Sequence, residues 1–225
     1  MGESLVLGFH KMMMHGVPAE PKHPTKPGRF RDATDNMRLA RFKHLKERMS
    51  PPWRIRSDVV ALLEAAEDGR LRGERIEQIA RFHYRFVRIH PFCDGNGRMA
   101  RALSTLLHAR IEPEILRFQK PVDEVILEHR DDYVTILEFC DELYEGMETA
   151  DIEEEAKLDL CGLPFVHFYI RAFLRAFEEH YAKLREALAE LGVEAPPLNS
   201  SHPSLLDLSA DSIIKIGTDA LNQEN

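Results

Sequence analysis

The segment "RIHPFCDGNGRMAR", residues 88–101, holds most of the residues that could do chemistry in this chain. An imidazole such as that of His90 titrates near neutrality and can take a proton from an attacking hydroxyl. The carboxylate of Asp94 can bind Mg²⁺, and the guanidinium groups of Arg98 and Arg101 can each donate two hydrogen bonds to a phosphate. Together these residue types predict a site that binds a phosphate compound and removes a proton.

The backbone of Gly95-Asn96-Gly97 is suited to holding an anion. Pro91 ends the helix that contains His90, and a new helix is expected to begin near Gly97 or Arg98. The first N–H groups of a helix have no partner within it and lie at the positive end of its dipole. Glycines also allow successive N–H groups to form a concave nest that phosphate oxygens can enter.

The charges around this nest predict a magnesium-bound di- or triphosphate. Arg98 and Arg101 are three residues apart, so both project from one face of the first turn. Two cations there oppose the helix dipole, a mild cost that a bound anion would remove. Asp94 lies just ahead of the nest, where an ion that it binds could bridge phosphate oxygens. With His90 as the base, the segment contains the parts of an in-line displacement at phosphorus.

Each of these residues also has a purely structural interpretation. His90 continues the apolar stripe of its helix and could be a core histidine, and Asp94 could only cap the next helix. His83, one heptad before His90, is interpreted as a core histidine. Nothing near Cys93 marks it as an activated nucleophile. The glycines do not form a P-loop, since no Gly-Lys-Ser/Thr follows them.

The elements that must position this segment are helices. Apolar residues at helical spacing precede it and resume after it, at Ile76, Ile79, Ala80, Phe86 and Val87 and then at Met99, Leu103, Leu106 and Leu107. Further helices are expected at about 122–146, 150–160 and 163–191. An earlier helix is expected to run to Gly69, with Ser57 as its cap.

The two ends of the chain have a different composition. Residues 20–32, "EPKHPTKPGRFRD", contain three prolines and one glycine, which predicts a loop or an irregular hairpin. This is the one candidate strand pair, so the predicted fold class is all-α with a small β-hairpin before the core helices. Residues 1–194 are expected to form one domain, and 195–225 a linker and a short helical tail that either docks a partner or packs back on the domain.

The bulk composition excludes several classes of protein. The chain has 225 residues, of which 44% are hydrophobic and 30% charged, as is usual for a soluble domain with its own core. No apolar run approaches the ~18 residues that a membrane-spanning helix needs. The three cysteines lack metal-ligand spacing and cannot all pair with one another. A reducing, cytoplasmic location is therefore expected, with no membrane partner.

The net charge of −8 conceals an asymmetry. Residues 1–120 contain 23 Lys and Arg against 14 Asp and Glu, whereas residues 121–225 contain 7 against 24. The basic half contains the segment described above, which suits an anionic ligand such as a nucleotide. Alternatively, a basic face of the domain packs on an acidic one. The acidic total and the lack of a known binding module argue against nucleic acid as a partner.

The arrangement His90-Pro91-Phe92-x-Asp94-Gly95-Asn96-Gly97-Arg98-x-x-Arg101 resembles the complete signature of Fic-domain proteins. The resemblance extends over roughly residues 5–190. Within it "KPGRFRD" is similar to the flap that precedes the Fic core, and "RDDYVTILEFCDE" and "LPFVHFYIRAFLRAF" are similar to its later helices. It implies a mainly helical Fic fold, with a flap at about 20–35 and a motif loop at 90–101.

The resemblance also implies an activity, which is transfer of AMP from ATP to a Ser, Thr or Tyr hydroxyl of a target protein with release of pyrophosphate. It makes His90 the general base and Asp94 the Mg²⁺ ligand. Asn96 and the backbone of Gly95 and Gly97 would hold the region of the α-phosphate. Arg98 and Arg101 would bind the β- and γ-phosphates.

The flap residues Gly28, Arg29, Phe30 and Arg31 would hold the target by main-chain pairing, which aligns a hydroxyl without demanding much sequence. Phe92 would anchor the motif loop in the core. One family feature is not found: the inhibitory helix with Ser/Thr-x-x-x-Glu-Gly/Asn. Only Thr149 to Glu153 fits its first part, and this is interpreted as a chance match in an acidic stretch.

Alternatives remain open for the partners of the chain and for the reaction that it catalyses. The inhibitory helix is expected either on a partner chain or upstream of residue 1, and the chain alone is expected to be uninhibited; a homodimer also remains open. The donor could supply UMP, phosphocholine or phosphate instead of AMP, although phosphate transfer is associated with a Lys at the position of Gly97. Removal of AMP from a modified target and a non-catalytic nucleotide-binding module are the remaining alternatives.

Overall fold

The computed structural model describes residues 1–18, 26–35, 49–71, 73–111, 121–147, 152–194 and 207–223. Within these ranges the chain forms helices and no strand, which confirms the all-α fold class. The helices are α1 (Glu3–Met13), α2 (Ile55–Glu67), α3 (Arg75–Ile89), α4 (Asn96–Ile111), α5 (Val122–Glu128), α6 (Arg130–Gly146), α7 (Glu154–Cys161), α8 (Leu163–Glu190) and α9 (Ala210–Gln223).

Two helices form the centre of the domain. Helix α3 packs against α2, α4 and α8, and α8 in turn packs against α5, α6, α7 and α9. Their interface is aromatic, because Phe82 and Phe86 of α3 and Phe165 and Phe168 of α8 are fully buried. Helix α3, which carries His90 at its end, is therefore held rigidly on several sides.

The ends of α3 are set by local chemistry. At its start the side chain of Glu77 accepts a hydrogen bond from the Glu74 N–H at 2.7 Å, one half of a capping box. At its end His90 adopts a left-handed conformation, with φ 50° and ψ 58°, and Pro91 prevents the helix from continuing. The site residue therefore lies at the point where the helix is forced to stop.

Two expectations about helix boundaries were wrong, and one helix was not predicted. Helix α2 begins at Ile55, which is buried, and Ser57 lies inside its first turn, donating to the Arg54 carbonyl at 2.8 Å rather than capping the helix. The region 122–146 is two helices, broken at His129, whose ring contacts Arg175 of α8 at 3.2 Å. The first 50 residues contain α1, whose buried stripe includes Val6 and His10.

The flap and the tail are described in part. Residues 26–35 of the flap form turns without a strand, while 20–25 lie outside the described residues, as does Thr149 of the possible inhibitory match. In the tail, α9 packs on α6 and α8, and Ile213 is fully buried there. Within the described residues no single helix is long and apolar enough to cross a membrane, and only the bent pair α7–α8, taken together, meets that test of length and composition.

Candidate active site

The backbone of His90 is held in a conformation that side chains other than glycine rarely adopt. Its φ of 50° is the one positive φ among the described non-glycine residues, and such a conformation costs about 1–3 kcal/mol. Arg31 of the flap donates from Nε to the His90 carbonyl at 2.6 Å, and its own N–H donates to the Pro91 carbonyl at 2.8 Å. These bonds stabilise the turn that brings the imidazole to the edge of the site.

The side chain of Arg31 points inward. It is 6% exposed, and besides His90 it donates to the carbonyls of Ile89, at 3.3 Å, and Ser50. A cation at the C-terminus of α3 also complements the helix dipole. Of the predicted flap residues, Arg29 is exposed and Phe30 is half-buried, with its ring centroid 5.5 Å from that of Phe92. In the free chain the Arg31 side chain thus binds the turn around His90 and not the surface of the flap.

The imidazole of His90 is neutral and presents one nitrogen as a base. Its Nδ1 lies 3.3 Å from the Val87 carbonyl and can donate to it, which leaves Nε2 to accept a proton. Burial, and then the charge of Arg31, lower the pKa of His90 to about 4. A group with this pKa is unprotonated at neutral pH and is ready to act as a general base.

His90 opens onto a cavity of about 380 Å³ that has two chemically distinct ends. One end is the motif loop and the start of α4, with the charged and glycine residues. The other end is formed by residues of α5 and α6, which are mainly apolar. The residues at the motif end are His90, Cys93, Asp94, Gly95, Asn96, Gly97, Arg98 and Arg101, and those at the other end include Ile126, Leu127, Arg130, Tyr133, Val134 and Leu137.

The nest begins one residue earlier than expected, because α4 starts at Asn96. The Asn96 side chain closes the loop on itself: its Oδ1 accepts the Phe92 N–H at 2.9 Å, and its Nδ2 donates to the Phe92 carbonyl at 2.8 Å. The amide of Asn96 thus shapes the loop, and its backbone N–H, like those of Gly97 and Arg98, belongs to the unpaired first turn of a helix. These groups line the cavity.

Gly95 is required by both conformation and space. Its φ is 84°, and a Cβ on it would lie 2.8 Å from the Met14 sulfur and 3.3 Å from Nε2 of His10. His10 of α1 and Met14, at the end of that helix, therefore cover the loop at this point, and the left-handed backbone favours glycine there.

Replacing Gly95 with alanine is expected to destabilise the fold by about 1–3 kcal/mol, from the left-handed backbone and the clash with α1. Binding of a nucleotide should weaken as well, because the nest is distorted. Thermal unfolding with and without Mg-ADP would measure both effects. Gly146→Ala is the control, since a Cβ there meets nothing within 4 Å. Equal unfolding temperatures and equal stabilisation by Mg-ADP in the two variants would contradict this account of the loop.

Three arginines line the cavity. Arg98 forms an ion pair with Asp94 at 3.2 Å, and Arg101 and Arg130 lie close enough to affect one another's charge. The pKa of Arg101 is lowered, chiefly by burial; Tyr133 and Asp123 oppose this shift, and Arg98 and Arg130 add to it. Arg130 was not predicted, because it falls inside the single helix expected at 122–146; in the structure it lies in the first turn of α6, where a cation opposes the dipole as Arg98 does in α4.

The donor set fits one Mg²⁺ bound together with a phosphate ligand. Asp94 is the one carboxylate among the residues that line the cavity, and its Oδ1 also accepts the Gly95 N–H at 2.6 Å. Among the described residues, no three His, Cys, Asp or Glu side chains cluster as a self-sufficient metal site. Mg²⁺ characteristically uses one or two carboxylates and completes its shell with phosphate oxygens and water.

Two structural interpretations from the sequence agree with these contacts. His83 is fully buried between the hydroxyls of Ser104, at 3.1 Å, and Tyr133, at 3.2 Å, and burial lowers its pKa to about 3. Burial raises the pKa of the Cys93 thiol to about 11, which keeps it protonated and unreactive. Phe92 is fully buried, as an anchor of the loop should be.

The first half of the chain is similar to a known protein family. Residues 2–108 match the model of the Fic/DOC family. This part of the chain contains the described flap, α3 and the whole motif from His90 to Arg101. Residues 2–108 belong to the Fic/DOC family.

Individual relatives of this Fic segment cover less of the chain. A protein adenylyltransferase Fic of Nematostella vectensis is 54% identical over 46 residues, which are 20% of this chain and 11% of that protein. The protein adenylyltransferase fic-1 of Caenorhabditis elegans is 36% identical over 89 residues, 39% of this chain and 16% of that protein. A Fido domain-containing protein of Dictyostelium discoideum is 37% identical over 68 residues, 30% of this chain and 43% of that protein. The chain thus spans less than half the length of these relatives.

A solved structure extends the fold beyond the family segment. A Fic family protein from Desulfovibrio desulfuricans aligns with 95% of this chain and 56% of its own, with a TM-score of 0.55 and 23% sequence identity. At that identity the likeness concerns the fold alone. It shows that the helices after residue 108 share the fold of that protein.

Proposed function

We propose that this chain transfers AMP from ATP to a hydroxyl of a target protein, with His90 as the general base. The observation that carries the proposal is a neutral imidazole at the mouth of a cavity that three arginines and a helix N-terminus make strongly positive. Two of the relatives are named protein adenylyltransferases, which supports the same chemistry.

The residues of the motif would divide the reaction between them. The target hydroxyl oxygen attacks the α-phosphorus of ATP, its proton moves to Nε2 of His90, and the bond from the α-phosphorus to the pyrophosphate oxygen breaks. The N–H groups at the start of α4 and the guanidinium groups of Arg98 and Arg101 bind the phosphates and stabilise the charge on the leaving pyrophosphate. Mg²⁺ held by Asp94 would supply further neutralisation of phosphate charge.

Arg98 must exchange partners during this cycle. In the free chain it pairs with Asp94 at 3.2 Å, and both side chains are well exposed, so the pair contributes at most about 1 kcal/mol. A magnesium-bound nucleotide offers each of them a better partner, since the ion takes the carboxylate and the phosphates take the guanidinium. The ion pair therefore keeps the two groups in place without competing strongly with the substrate.

The apolar end of the cavity suits a nucleotide base. Leu127 is 45% exposed although it lies at the cavity, and Val134 and Leu137 stand on the neighbouring helix α6. A planar base that covered these side chains would bury apolar surface worth about 25 cal/mol per Å². The backbone of Gly28 to Phe30 would position the target segment beside His90, since Arg31 ties the flap to the motif.

The identity of the donor is tested by the mass of the adduct. The chain would be incubated with Mg²⁺ and a lysate in the presence of ATP, UTP, GTP or CTP, and modified peptides would be weighed by mass spectrometry. The proposal expects AMP adducts on Ser, Thr or Tyr. UMP adducts from UTP, or phosphate adducts from ATP, would replace it with one of the other Fic-type transfers.

The rate of transfer is expected to change little between about pH 8 and pH 6, where an ordinary histidine would titrate. The pKa of His90 is lowered to about 4, so its basic form is complete well above that pH and is lost only as the pH falls toward it. The charged groups that face the ring are Arg31 from the flap and Asp94 from the motif. Transfer of labelled AMP, followed against pH with circular dichroism to monitor folding, would measure this. A half-loss of rate near pH 6.5 would contradict the assignment.

A further inference from the structure

We propose that His10 is a positioning residue that ties the flap to the Asp94–Gly95 turn through one neutral tautomer of its ring. The proposal rests on the proposed function in one respect, because the flap and this turn are taken as the parts that hold the target and the metal-bound phosphates. His10 is not part of the motif, and it comes from α1, at the opposite end of the family segment.

The two ring nitrogens of His10 have different partners. Nδ1 lies 2.9 Å from the backbone N–H of Gly28, and Nε2 lies 3.0 Å from the backbone carbonyl of Asp94. An N–H can only donate, so Nδ1 must be unprotonated, and a carbonyl can only accept, so Nε2 must carry the hydrogen. Both bonds are therefore made only by the neutral Nε2–H tautomer.

The ring is fixed in the orientation that these two bonds need. It is 1% exposed and stacks on Phe92, with ring centroids 3.6 Å apart and planes within 5° of each other. The Phe92 backbone is itself held by the Asn96 amide, which accepts from the Phe92 N–H and donates to the Phe92 carbonyl. Met14, four residues after His10 and just past the end of α1, covers Gly95. His10 is thus packed against the loop that it bonds.

The flap is therefore attached to the site at two points, one through Arg31 and one through His10. Arg31 binds the carbonyls around His90 and holds one end of the described flap near the base. His10 holds the turn at Gly28, where φ is 74° and α1 approaches closely. The same ring fixes the carbonyl of Asp94, whose carboxylate faces the cavity. A shift of the flap at Gly28 is thereby coupled to the backbone of the metal ligand.

Two substitutions of His10 each remove one of its two hydrogen bonds and can keep the other. His10→Gln can keep a donor near the position of Nε2 but loses the acceptor for Gly28, whereas His10→Asn can keep an acceptor near Nδ1 but loses the donor for Asp94. Amide hydrogen exchange of Gly28, followed by NMR, and the affinity for Mg-ADP are the two readouts. In His10→Gln the Gly28 amide should exchange about tenfold faster, as expected for one lost hydrogen bond. In His10→Asn it should remain protected while the affinity for Mg-ADP falls severalfold.

His15→Gln is the matched control, because His15 is an exposed histidine just beyond the end of the same helix. It should leave both readouts at their wild-type values. Unchanged exchange of Gly28 in His10→Gln, or equal losses of both properties in the two variants, would overturn the proposal. Should both variants unfold, the ¹⁵N shifts of the wild-type ring decide: the Nε2–H pattern supports the link, and the Nδ1–H or imidazolium pattern overturns it.

These readouts do not depend on transfer. If the wild-type chain fails to transfer any group but the exchange of Gly28 responds as expected, the proposed function is wrong and His10 still links the flap to the turn. If transfer is found and Gly28 does not respond, the function stands and the role of His10 fails.

Discussion

Replacing His90 with asparagine is expected to lower the rate of AMP transfer by about 10²–10⁴-fold, the usual contribution of a general base. Asparagine is the sharper choice than alanine because it tolerates the left-handed backbone that His90 adopts. Its amide cannot accept the proton of an attacking hydroxyl. The affinity for Mg-ADP should stay close to that of the wild type, because His90 lies beside the phosphate nest and the arginines, not among them.

This prediction separates catalysis from binding in one variant. Transfer is measured by incorporation of labelled AMP, and affinity by titration calorimetry with Mg-ADP. A variant that transfers AMP at the wild-type rate would show that another group removes the proton. A variant that loses nucleotide binding as well would show that His90 acts mainly on the shape of the site.

Replacing Arg101 with alanine is expected to reduce the affinity for Mg-ATP by about 10–100-fold, the range for a lost charge-assisted hydrogen bond pair. Burial lowers the pKa of Arg101, and Tyr133 and Asp123 offset this only in part while Arg98 and Arg130 repel the charge, so in the free chain that charge lacks full compensation. An anionic ligand supplies that compensation. Arg98 already has Asp94 as a partner at 3.2 Å, so Arg98→Ala should cost less.

The matched control for these arginines is Arg110→Ala. Arg110 stands at the other end of α4 and pairs with Glu67 at 2.9 Å on the surface. It should leave affinity unchanged, and the free Arg101→Ala chain should unfold at a temperature near that of the wild type, since removing a crowded cation relieves repulsion. Equal losses of affinity in Arg101→Ala and Arg110→Ala would indicate a general effect of net charge and contradict a bound phosphate.

The part of the site that could be predicted is the part that is local in sequence. His90, Asp94 and Arg101 lie within one turn and two helix ends, so their relative placement follows from where Pro91 stops one helix and where the glycines start the next. The start of α4 was missed by one residue because the Asn96 side chain bonds Phe92 and opens the helix itself.

The contacts that support the motif loop come from segments far away in the sequence, and no sequence pattern predicts them. His10 bonds Asp94 across 84 positions, and Arg31 bonds His90 across 59. In the sequence, His10 lies among glycines and methionines that hide the amphipathic stripe of α1, and Arg31 reads as an exposed flap residue. Their roles depend on tertiary packing, which propensity and spacing do not encode.

The break at His129 shows the same limit within a helical region. Apolar residues at helical spacing continue from Val125 and Ile126 to Tyr133 and beyond, so periodicity predicts one helix across this stretch. The structure divides it, and the first turn of α6 thereby places Arg130 at the cavity. With one continuous helix expected here, nothing in the sequence marked Arg130 as the start of a helix or as a residue of the cavity.

The measurement that most directly tests the central claim uses ATP labelled at either the α- or the γ-phosphate. The wild-type chain and His90→Asn would be incubated with each label, Mg²⁺ and a lysate, and the label on protein would be followed. The account predicts incorporation from the α-position alone, and its loss in His90→Asn. Incorporation from the γ-position, or α-label that persists in His90→Asn, would contradict it.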